Sequence, residues 1–372
     1  MRNVAIFDFR KRISQKDSQV VVRHAHYANL LFKESAQQSR LIVFQIGSKK
    51  VSSAHSTCFS FQKVSFLQFA LMLVNNKYTN KIFASHDVKL IVTGDPWLSA
   101  SAALFAINQK SNNSPKIQIQ IHADLEIPKK RISFKYFRYQ IEKRNLERAD
   151  SVRVTNLMQR DKVIQQYGLE PCKVFASALP LNIVYEKVVV RNPETRPFTI
   201  GFVGRLHNER GMDFQIDIVK YLAPKLVDLK FVFIGGGYRE NWLKSRIKEM
   251  NLLTRTTFLG EINSTKMEDA WSKVGILVST APKESYGRAI RESLVHGIPV
   301  LSRNTLGLQS LVAEFGSEGV IQLGEDLEDG QILAQIERLR RVKIDKKYFD
   351  LMLINDRNNV DLLIASWLSL IK

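Results

Sequence analysis

Short apolar runs of strand type alternate with segments of helical periodicity along most of the chain. In the first half, strands are predicted at residues 4–8, 41–46, 90–93, 117–122, 151–154 and 174–176. Helices are predicted in the same half at residues 17–36, 64–76, 97–110, 131–147 and 156–167. This alternation predicts an α/β fold with parallel sheets, because two parallel strands are joined by a crossover that is usually a helix.

The alternation starts again after residues 192–197, a polar segment that prolines bracket. Further strands are predicted near residues 199–203, 229–234, 256–259, 275–279, 298–302 and 319–322, with helices between them. Residues 348–372 favour closing helices. A chain of 372 residues is long enough for two domains. We therefore predict domains at 1–195 and 196–347, followed by the closing helices.

Two carboxylates, Glu284 and Glu292, stand eight positions apart in the second predicted domain. Glu284 lies in a loop-like segment, and Glu292 lies about two turns into a helix predicted to begin near Gly287. The free N–H groups at the start of this helix suit an anion such as a phosphate. A surface helix with two solvated glutamates is the alternative interpretation.

A second motif comes earlier in the same predicted domain. The strand at 199–203 ends at Gly204, where the backbone can approach a ligand without an intervening side chain. Arg205 follows at the strand's C-terminal end, where open α/β sheets bind ligands. Arg210 precedes the next predicted helix. The two arginines therefore suit a phosphate group, although two exposed arginines paired with surface carboxylates remain an alternative.

A third motif is the glycine run at 235–237, which follows a predicted strand and includes Gly235 and Gly236. It does not have the G-x-G-x-x-G spacing of a dinucleotide-binding fingerprint. In this order, the three motifs resemble the retaining nucleotide-sugar glycosyltransferases of glycosyltransferase family four, the group 1 type, whose signature is E-x7-E. The resemblance extends from about residue 198 to residue 323.

The resemblance implies the GT-B fold, with two Rossmann-like domains that face a central cleft and a C-terminal helix that crosses back to the first domain. It implies that Arg205 and Arg210 hold the donor's diphosphate, and that Glu284 and Glu292 hold hydroxyls of the sugar and the ribose. Donor contacts are also expected at Gly204, Gly235, Gly236, Ser285, Tyr286 and Gly287. A histidine near His122 faces the donor sugar in resembling enzymes, whereas a hydrogen-bonded structural histidine is the alternative.

Acceptor-side candidates come from the first predicted domain. Asp95 follows a strand and opens a helix, so it is either a helix cap or a contact to acceptor or sugar. Asp124 follows His122 closely. The family often has a glycine-rich loop near the first strand; this chain has residues 16–24 there instead, and Arg23 or His24 would compensate.

The activity implied is hexosyl transfer from a UDP- or GDP-sugar to a glycan or lipid-linked glycan, with retention of the anomeric configuration, in cell-surface polysaccharide biosynthesis. The chain has no D-x-D motif, so we expect no metal or other cofactor. Two alternatives stay open. One is a GT-B nucleotide-sugar epimerase, since a fold does not determine a function. The other is a catalytically silent basic module that binds membrane or nucleic acid.

The net charge of +19 calls for a partner or an explanation. Residues 125–148 carry eight basic and three acidic side chains, interleaved with aromatic ones. Phe134, Phe137 and Ile141 form an apolar stripe on this predicted basic helix, which suits an anionic membrane surface, with 129–148 as the contact. Packing of the stripe into the core is the alternative, and nucleic acid is the least favoured partner.

Cys58 and Cys172 are the two cysteines of the chain, and they form no C-x-x-C motif. They indicate neither a disulfide framework nor a zinc site, and suit a reducing compartment. The longest nearly apolar run, residues 64–74, is too short to cross a bilayer, and the first residues read as a strand rather than a signal peptide. We expect a cytoplasmic protein, with peripheral attachment to the inner face of the membrane as an open question.

Overall fold

The computed structural model describes residues 2–8, 19–47, 56–107, 114–125, 127–128, 132–181, 183–263, 266–324 and 330–372. The chain folds into two compact units. Unit 1 comprises Met1–Leu179 and Asn358–Lys372, and unit 2 comprises Pro180–Arg357. No helix in these described ranges is both long and apolar enough to cross a membrane.

Unit 1 contains a parallel sheet of seven strands. The strands are β1 (Asn3–Asp8), β2 (Leu41–Ile46), β3 (Phe59–Val64), β4 (Val88–Thr93), β5 (Lys116–Gln120), β6 (Ser151–Val154) and β7 (Val174–Ala176). Their order in the sheet is β3-β2-β1-β4-β5-β6-β7, so the order changes direction between β1 and β4. β3 was not predicted, because Ser60, Gln62 and Lys63 interrupt its apolar run at the edge of the sheet.

Helices cover both faces of this sheet. They are α1 (Gln19–Glu34), α2 (Phe66–Val74), α3 (Asn76–Ser85), α4 (Leu98–Ala106), α5 (Phe134–Arg148) and α6 (Leu157–Tyr167). Helices α2 to α6 contribute to the core on one face, and α1 packs on the other face. The predicted helix at 64–76 is interrupted at Asn75, which ends α2 and caps α3 through its side chain. Predicted helix residues 17–18, 108–110 and 131 lie outside the described residues.

Unit 2 contains a second parallel sheet, of six strands. The strands are β8 (Thr199–Val203), β9 (Lys230–Ile234), β10 (Thr256–Gly260), β11 (Ile276–Ser279), β12 (Val300–Ser302) and β13 (Val320–Gln322). The helices are α7 (Met212–Leu222), α8 (Glu240–Glu249), α9 (Met267–Trp271), α10 (Arg288–Val295), α11 (Leu306–Phe315), α12 (Gln331–Arg341) and α13 (Lys347–Ile371). The strand order β10-β9-β8-β11-β12-β13 changes direction between β8 and β11. Two Rossmann-like parallel sheets confirm the predicted α/β class.

The division between the units falls after Leu179, before the predicted boundary at 196. The intervening segment packs within unit 2, where the Arg191 backbone N–H donates to the His296 carbonyl at 3.0 Å. The Arg191 guanidinium also forms an ion pair with Glu268 at 2.7 Å. These contacts are long-range, which explains why the polar, proline-bracketed segment at 192–197 does not mark the boundary.

The closing segment is one helix of 25 residues, α13, rather than several. It begins in unit 2, and its residues from Asn358 onwards belong to unit 1. In unit 1, Trp367 is 1% exposed, its ring packs edge-on against Tyr27, and its Nε1 donates to Gln118 Oε1 at 2.8 Å. The end of α13 is therefore part of the core of unit 1.

Candidate functional site

A pocket in unit 2 adjoins the C-terminal ends of β8 and β11, where the order of the strands changes direction. Outgoing loops diverge at such a point, so open α/β sheets bind ligands there. Five of the predicted site residues line the pocket: Gly204, Arg205, Arg210, Glu284 and Gly287. They come from segments that are about 80 residues apart in the chain, which the fold brings together.

Arg210 and Glu284 form an ion pair across this pocket. Their side chains are 29% and 21% exposed, so the pair is accessible from solvent without being fully hydrated. The backbone holds Arg210 in place, because its carbonyl accepts a hydrogen bond from Thr280 Oγ1 at 2.8 Å. Gly211 has a φ of 66°, and a Cβ there would lie 2.3 Å from the Thr280 carbonyl oxygen. Glycine is therefore required after Arg210.

Arg205 is held less firmly than Arg210. Its side chain is 52% exposed and lies 3.2 Å from Glu209, which is equally exposed. An exposed pair of this kind contributes little to stability, so the guanidinium of Arg205 can leave Glu209 for another anion at small cost. Both arginines line the pocket and each has a carboxylate partner, while phosphate binding stays a prediction.

The predicted donor-binding glycines of the third motif hold two loops together beside the pocket. Gly204 and Gly235 have φ values of 149° and 133°. A Cβ on Gly235 would lie 1.9 Å from the Gly204 carbonyl oxygen. The Leu206 N–H donates to the Gly236 carbonyl at 3.0 Å. Gly235 and Gly236 are therefore neighbours of the pocket wall, although neither lines the pocket.

The segment 284–287 leads into α10, and Gly287 caps this helix with a φ of 72°. The Gly307 N–H donates to the Glu284 carbonyl at 2.7 Å, which fixes the segment against α11. Ser285 and Tyr286 are each 5% exposed. The Tyr286 ring lies 4.1 Å from the Arg291 guanidinium, and burial raises the pKa of Tyr286 to about 12. The Ser285 and Tyr286 side chains thus lie in the core rather than in the pocket.

Glu292 lies on α10 and is 5% exposed. Its carboxylate is 3.4 Å from the Arg288 guanidinium, one turn earlier on the same helix. Glu292 does not line the pocket that holds Glu284. The two glutamates of the E-x7-E motif, one in the loop before α10 and one on the helix itself, therefore lie in different surroundings.

In unit 1, the structure brings three predicted residues into one basic cluster. His122 follows β5, Arg23 and His24 lie on α1, and Arg153 on β6 completes the group. Burial and the Arg153 and Arg23 guanidinium groups lower the pKa of His122 to about 3. Burial and Arg23 lower the pKa of His24 to about 4. Both imidazoles are therefore neutral at pH 7.

Arg153 was not among the predicted site residues. It is 1% exposed, and its Nε and Nη2 donate to the carbonyls of Ser177 and Ala178, both at 2.7 Å. An arginine between two valines of a predicted strand was the signal for it in the sequence. Thr280, which lines the pocket of unit 2, was not predicted as a site residue either. A threonine after a strand is too common in sequences to indicate a site.

Asp95 and Asp124 have partners that account for their positions. Asp95 Oδ1 accepts hydrogen bonds from the backbone N–H groups of Trp97 at 3.0 Å and Ser99 at 3.2 Å, which is the capping interpretation. Asp124 forms an ion pair with Lys162 at 2.5 Å. Asp124 and Lys162 line a wide hollow beside α5, with a volume of about 750 Å³.

Among the described residues, no three His, Cys, Asp or Glu side chains are arranged to hold a metal ion. Cys58 is buried, Cys172 is exposed, and both are free thiols.

The fold of the chain is that of the GT-B glycosyltransferases. One solved structure, lipopolysaccharide outer core galactosyltransferase WaaB, aligns with a TM-score of 0.68 at 16% identity, over 97% of this chain and 99% of that one. Another, Anabaena HepE in complex with UDP and glucose, aligns with a TM-score of 0.67 at 16% identity, over 99% of each chain. At this identity the likeness concerns the fold alone.

Residues 186–347 match the sequence model of the family described as glycosyl transferases group 1. This match confirms the group 1 part of the resemblance for residues 186–347, which lie within unit 2. Among curated relatives, a GDP-mannose-dependent alpha-mannosyltransferase of Mycolicibacterium smegmatis is 28% identical over 122 residues. That alignment covers 33% of this chain and 29% of the relative, so the chain spans less than a third of the protein it matches.

Proposed function

We propose that the chain is a retaining glycosyltransferase that moves a hexosyl unit from a UDP- or GDP-sugar to a glycan or lipid-linked glycan. The observation that supports it most directly is the pocket of unit 2. Two arginines, a carboxylate and the N-terminal end of α10 converge there, at the edge of the sheet where a nucleotide would bind.

The Arg210–Glu284 ion pair suggests how the donor enters. The diphosphate is a stronger bidentate partner for a guanidinium than one carboxylate, so it takes Arg210 from Glu284. Glu284, released in this way, accepts hydrogen bonds from hydroxyls of the donor sugar. The ion pair thus holds both side chains in position in the absence of a donor.

During transfer, negative charge builds on the leaving diphosphate and positive charge builds on the sugar ring. Arg205, Arg210 and the N–H groups at Gly287 stabilise the leaving group. Donors positioned in advance in this way typically contribute about 3–4 kcal/mol each. The leaving phosphate accepts the acceptor's proton, and the acceptor attacks on the same face of the sugar. No metal ion is needed, since the guanidinium groups neutralise the developing charge.

In unit 1, neutral His122 is proposed to face the donor sugar as a hydrogen-bonding group rather than as an acid. The proposed cell-surface setting rests on the resemblance noted in the sequence. Two alternatives to glycosyl transfer differ from it in what happens to the donor. A nucleotide-sugar epimerase has the same fold but would convert the donor into an isomer. A catalytically silent binding module would leave the donor unchanged.

The test uses Arg210→Ala and Arg205→Ala, with Arg246→Ala as the matched control. Arg246 is also an exposed arginine with a carboxylate partner, Glu249 at 2.7 Å, and it lies on α8, outside the pocket lining. Hydrolysis or transfer from UDP- and GDP-sugars should fall about 100-fold or more in Arg210→Ala and stay near normal in Arg246→Ala. Proton NMR of the released sugar reads its anomeric configuration.

A near-normal rate in Arg210→Ala would contradict the phosphate assignment. An inverted anomer would contradict retention, and an isomerised donor would indicate the epimerase. An unchanged donor, with no rise in melting temperature on adding nucleotide, would leave the binding module as the better account.

A further inference from the structure

Large apolar side chains are exposed on one face of unit 1. Ten of them lie on α2, on α4, on α5 and in the segments before α5, and together we call them the apolar face. They are Phe66, Leu67, Leu71, Val74, Leu98, Phe105, Ile127, Ile132, Phe134 and Phe137. Their exposure reaches 99% for Ile132 and is 79% for Val74 and 73% for Leu67. A contiguous apolar patch of this kind on a folded protein marks an interaction site.

The apolar face is continuous because its helices are neighbours. Helix α2 packs against α4, and α4 packs against α5. Their inner sides share one core, to which Met72, Leu104 and Leu146 belong. The outer sides of these three helices therefore lie side by side over the same face of the sheet.

Helix α2 is apolar on its outer side as well as its inner side. Its sequence, FLQFALMLV, contains no charged residue. A helix that is hydrophobic all round is normally buried all round, yet here Phe66, Leu67 and Val74 are mostly exposed. Nine residues are too few to cross a bilayer, so insertion at the surface is the remaining way to bury them in lipid.

Basic side chains accompany the apolar face. Helices α2 to α5 carry seven basic residues and two acidic ones. The basic residues are Lys77, Lys81, Lys135, Arg138, Lys143, Arg144 and Arg148. One of the two acids, Glu142, is buried and paired with Arg138 at 2.7 Å. Lys129, Lys130 and Arg131, which also belong to the predicted basic segment, lie outside the described residues.

Aromatic contacts connect the apolar and basic groups. The Phe134 ring packs edge-on against Trp97 at 5.6 Å, and the Arg138 guanidinium lies 4.9 Å from the same indole. Phe134 is 66% exposed and Phe137 is 60% exposed, so the alternative in which this stripe packs into the core does not hold for either residue. An aromatic side chain next to a cation suits the boundary between headgroups and acyl chains.

We propose that the apolar face binds the surface of a bilayer that contains anionic lipids. The apolar side chains of α2, α4 and α5 insert at the acyl boundary, and the basic side chains of α3 and α5 contact lipid phosphates. A lipid surface is favoured over a protein partner because the apolar and cationic groups lie together, as anionic headgroups above acyl chains require. The inference deepens the proposed use of a lipid-linked acceptor, and vesicle binding tests it without any nucleotide sugar.

The experiment measures flotation of the full chain with vesicles of phosphatidylcholine, alone or mixed in equal parts with phosphatidylglycerol. Binding should require phosphatidylglycerol and weaken as salt is added, because the charged contacts are screened. The double variant Leu67→Asp with Val74→Asp should bind about tenfold more weakly or worse. Val227→Asp is the matched control, since Val227 is 71% exposed and lies on unit 2. This variant should bind as the native chain does.

Leu67 and Val74 are largely exposed, so the double variant should have the melting temperature of the native chain. The melting temperatures of both are measured in parallel. Equal flotation of the double variant and the native chain would overturn the proposal. The proposal would also be overturned if the native chain bound neither kind of vesicle. A dimer of the native chain that the double variant no longer forms would overturn it as well. Donor hydrolysis by the double variant should remain normal, which separates a failure here from a failure of the proposed transfer reaction.

Discussion

At the scale of single residues, function depends on side chains whose neighbours change their chemistry. Arg210 and Glu284 form an ion pair, so each side chain restrains the other. His122 and His24 are neutral because burial, and then two nearby guanidinium groups, disfavour further positive charge. A histidine that carries no positive charge at neutral pH can orient hydroxyl groups by hydrogen bonding but is a poor acid for a leaving group.

We predict that the imidazole of His122 titrates with a pKa near 3 in the folded protein. Its folded pKa lies below the unfolded value of 6.5, so its contribution to stability is complete above about pH 6.5 and is lost as the pH falls towards 3. His24 acts in the same direction, with a folded pKa of about 4. NMR titration of the ring carbons measures both, with the urea-unfolded chain as control. A midpoint above pH 6 for His122 in the folded chain would contradict the burial argument.

At the scale of elements, the pocket depends on how closely the loops after β8 and β9 approach each other. The Gly235 backbone and the Gly204 carbonyl leave no room for a side chain. Loop backbone, rather than a ring of polar side chains, therefore sets the shape of this wall of the pocket.

We predict that Gly235→Ala forces these loops apart and lowers the free energy of unfolding by about 2–4 kcal/mol. Nucleotide diphosphate should then raise the melting temperature less than in the native chain. Gly168→Ala is the control, because Gly168 also has a positive φ, 68°, but a Cβ there meets nothing within 4 Å. That variant should lose only about 1 kcal/mol. Equal losses in urea unfolding would show that backbone conformation, not the close approach, is the constraint.

At the scale of the whole molecule, the buried carboxylate of Asp356 links the segment where the chain enters unit 2 to the segment where it leaves. Asp356 Oδ2 accepts hydrogen bonds from the Leu181 N–H at 3.0 Å and the Tyr185 hydroxyl at 2.8 Å. Leu181 follows the entry into unit 2, and Asp356 precedes the exit. Asp356 therefore connects the two points at which the chain passes between the units.

We predict that Asp356 reduces stability at neutral pH. Burial raises its pKa from 3.8 to about 6, although the hydrogen bonds from the Leu181 N–H and the Tyr185 hydroxyl lower it. Of the nearby charges, Arg288 lowers this pKa and Glu292 raises it. Because the folded state keeps a proton that the unfolded state releases, the free energy of unfolding should fall as the pH rises from about 4 to 6. Asp356→Asn keeps an accepting oxygen and removes this pH dependence. At pH 7.5 the free energy of unfolding of the variant should therefore exceed that of the native chain by up to about 3 kcal/mol.

Urea unfolding across this pH range provides the measurement for Asp356→Asn. Asp361→Asn serves as its control, because Asp361 is exposed on the same helix. A slope that Asp356→Asn leaves intact would assign the pH dependence to another group.

The sequence by itself determined the α/β class, most strand positions and the two motifs that meet in unit 2. These features are local: an apolar run of a given length, a glycine at a strand end and a carboxylate spacing are all read along the chain. Within the described residues, Thr199–Val203 and Lys230–Ile234 lie within a residue of their predicted positions. The E-x7-E motif was also readable, because its spacing does not depend on the rest of the fold.

Only the tertiary structure decided which side chains share surroundings. The Arg210–Glu284 pair joins positions 74 residues apart, and the His24–His122 cluster involves three elements of unit 1. It also decided that α2 is exposed, although its composition is that of a buried helix. The physical reason is that periodicity belongs to the backbone of each segment, whereas burial and pairing depend on which distant surface packs against that segment.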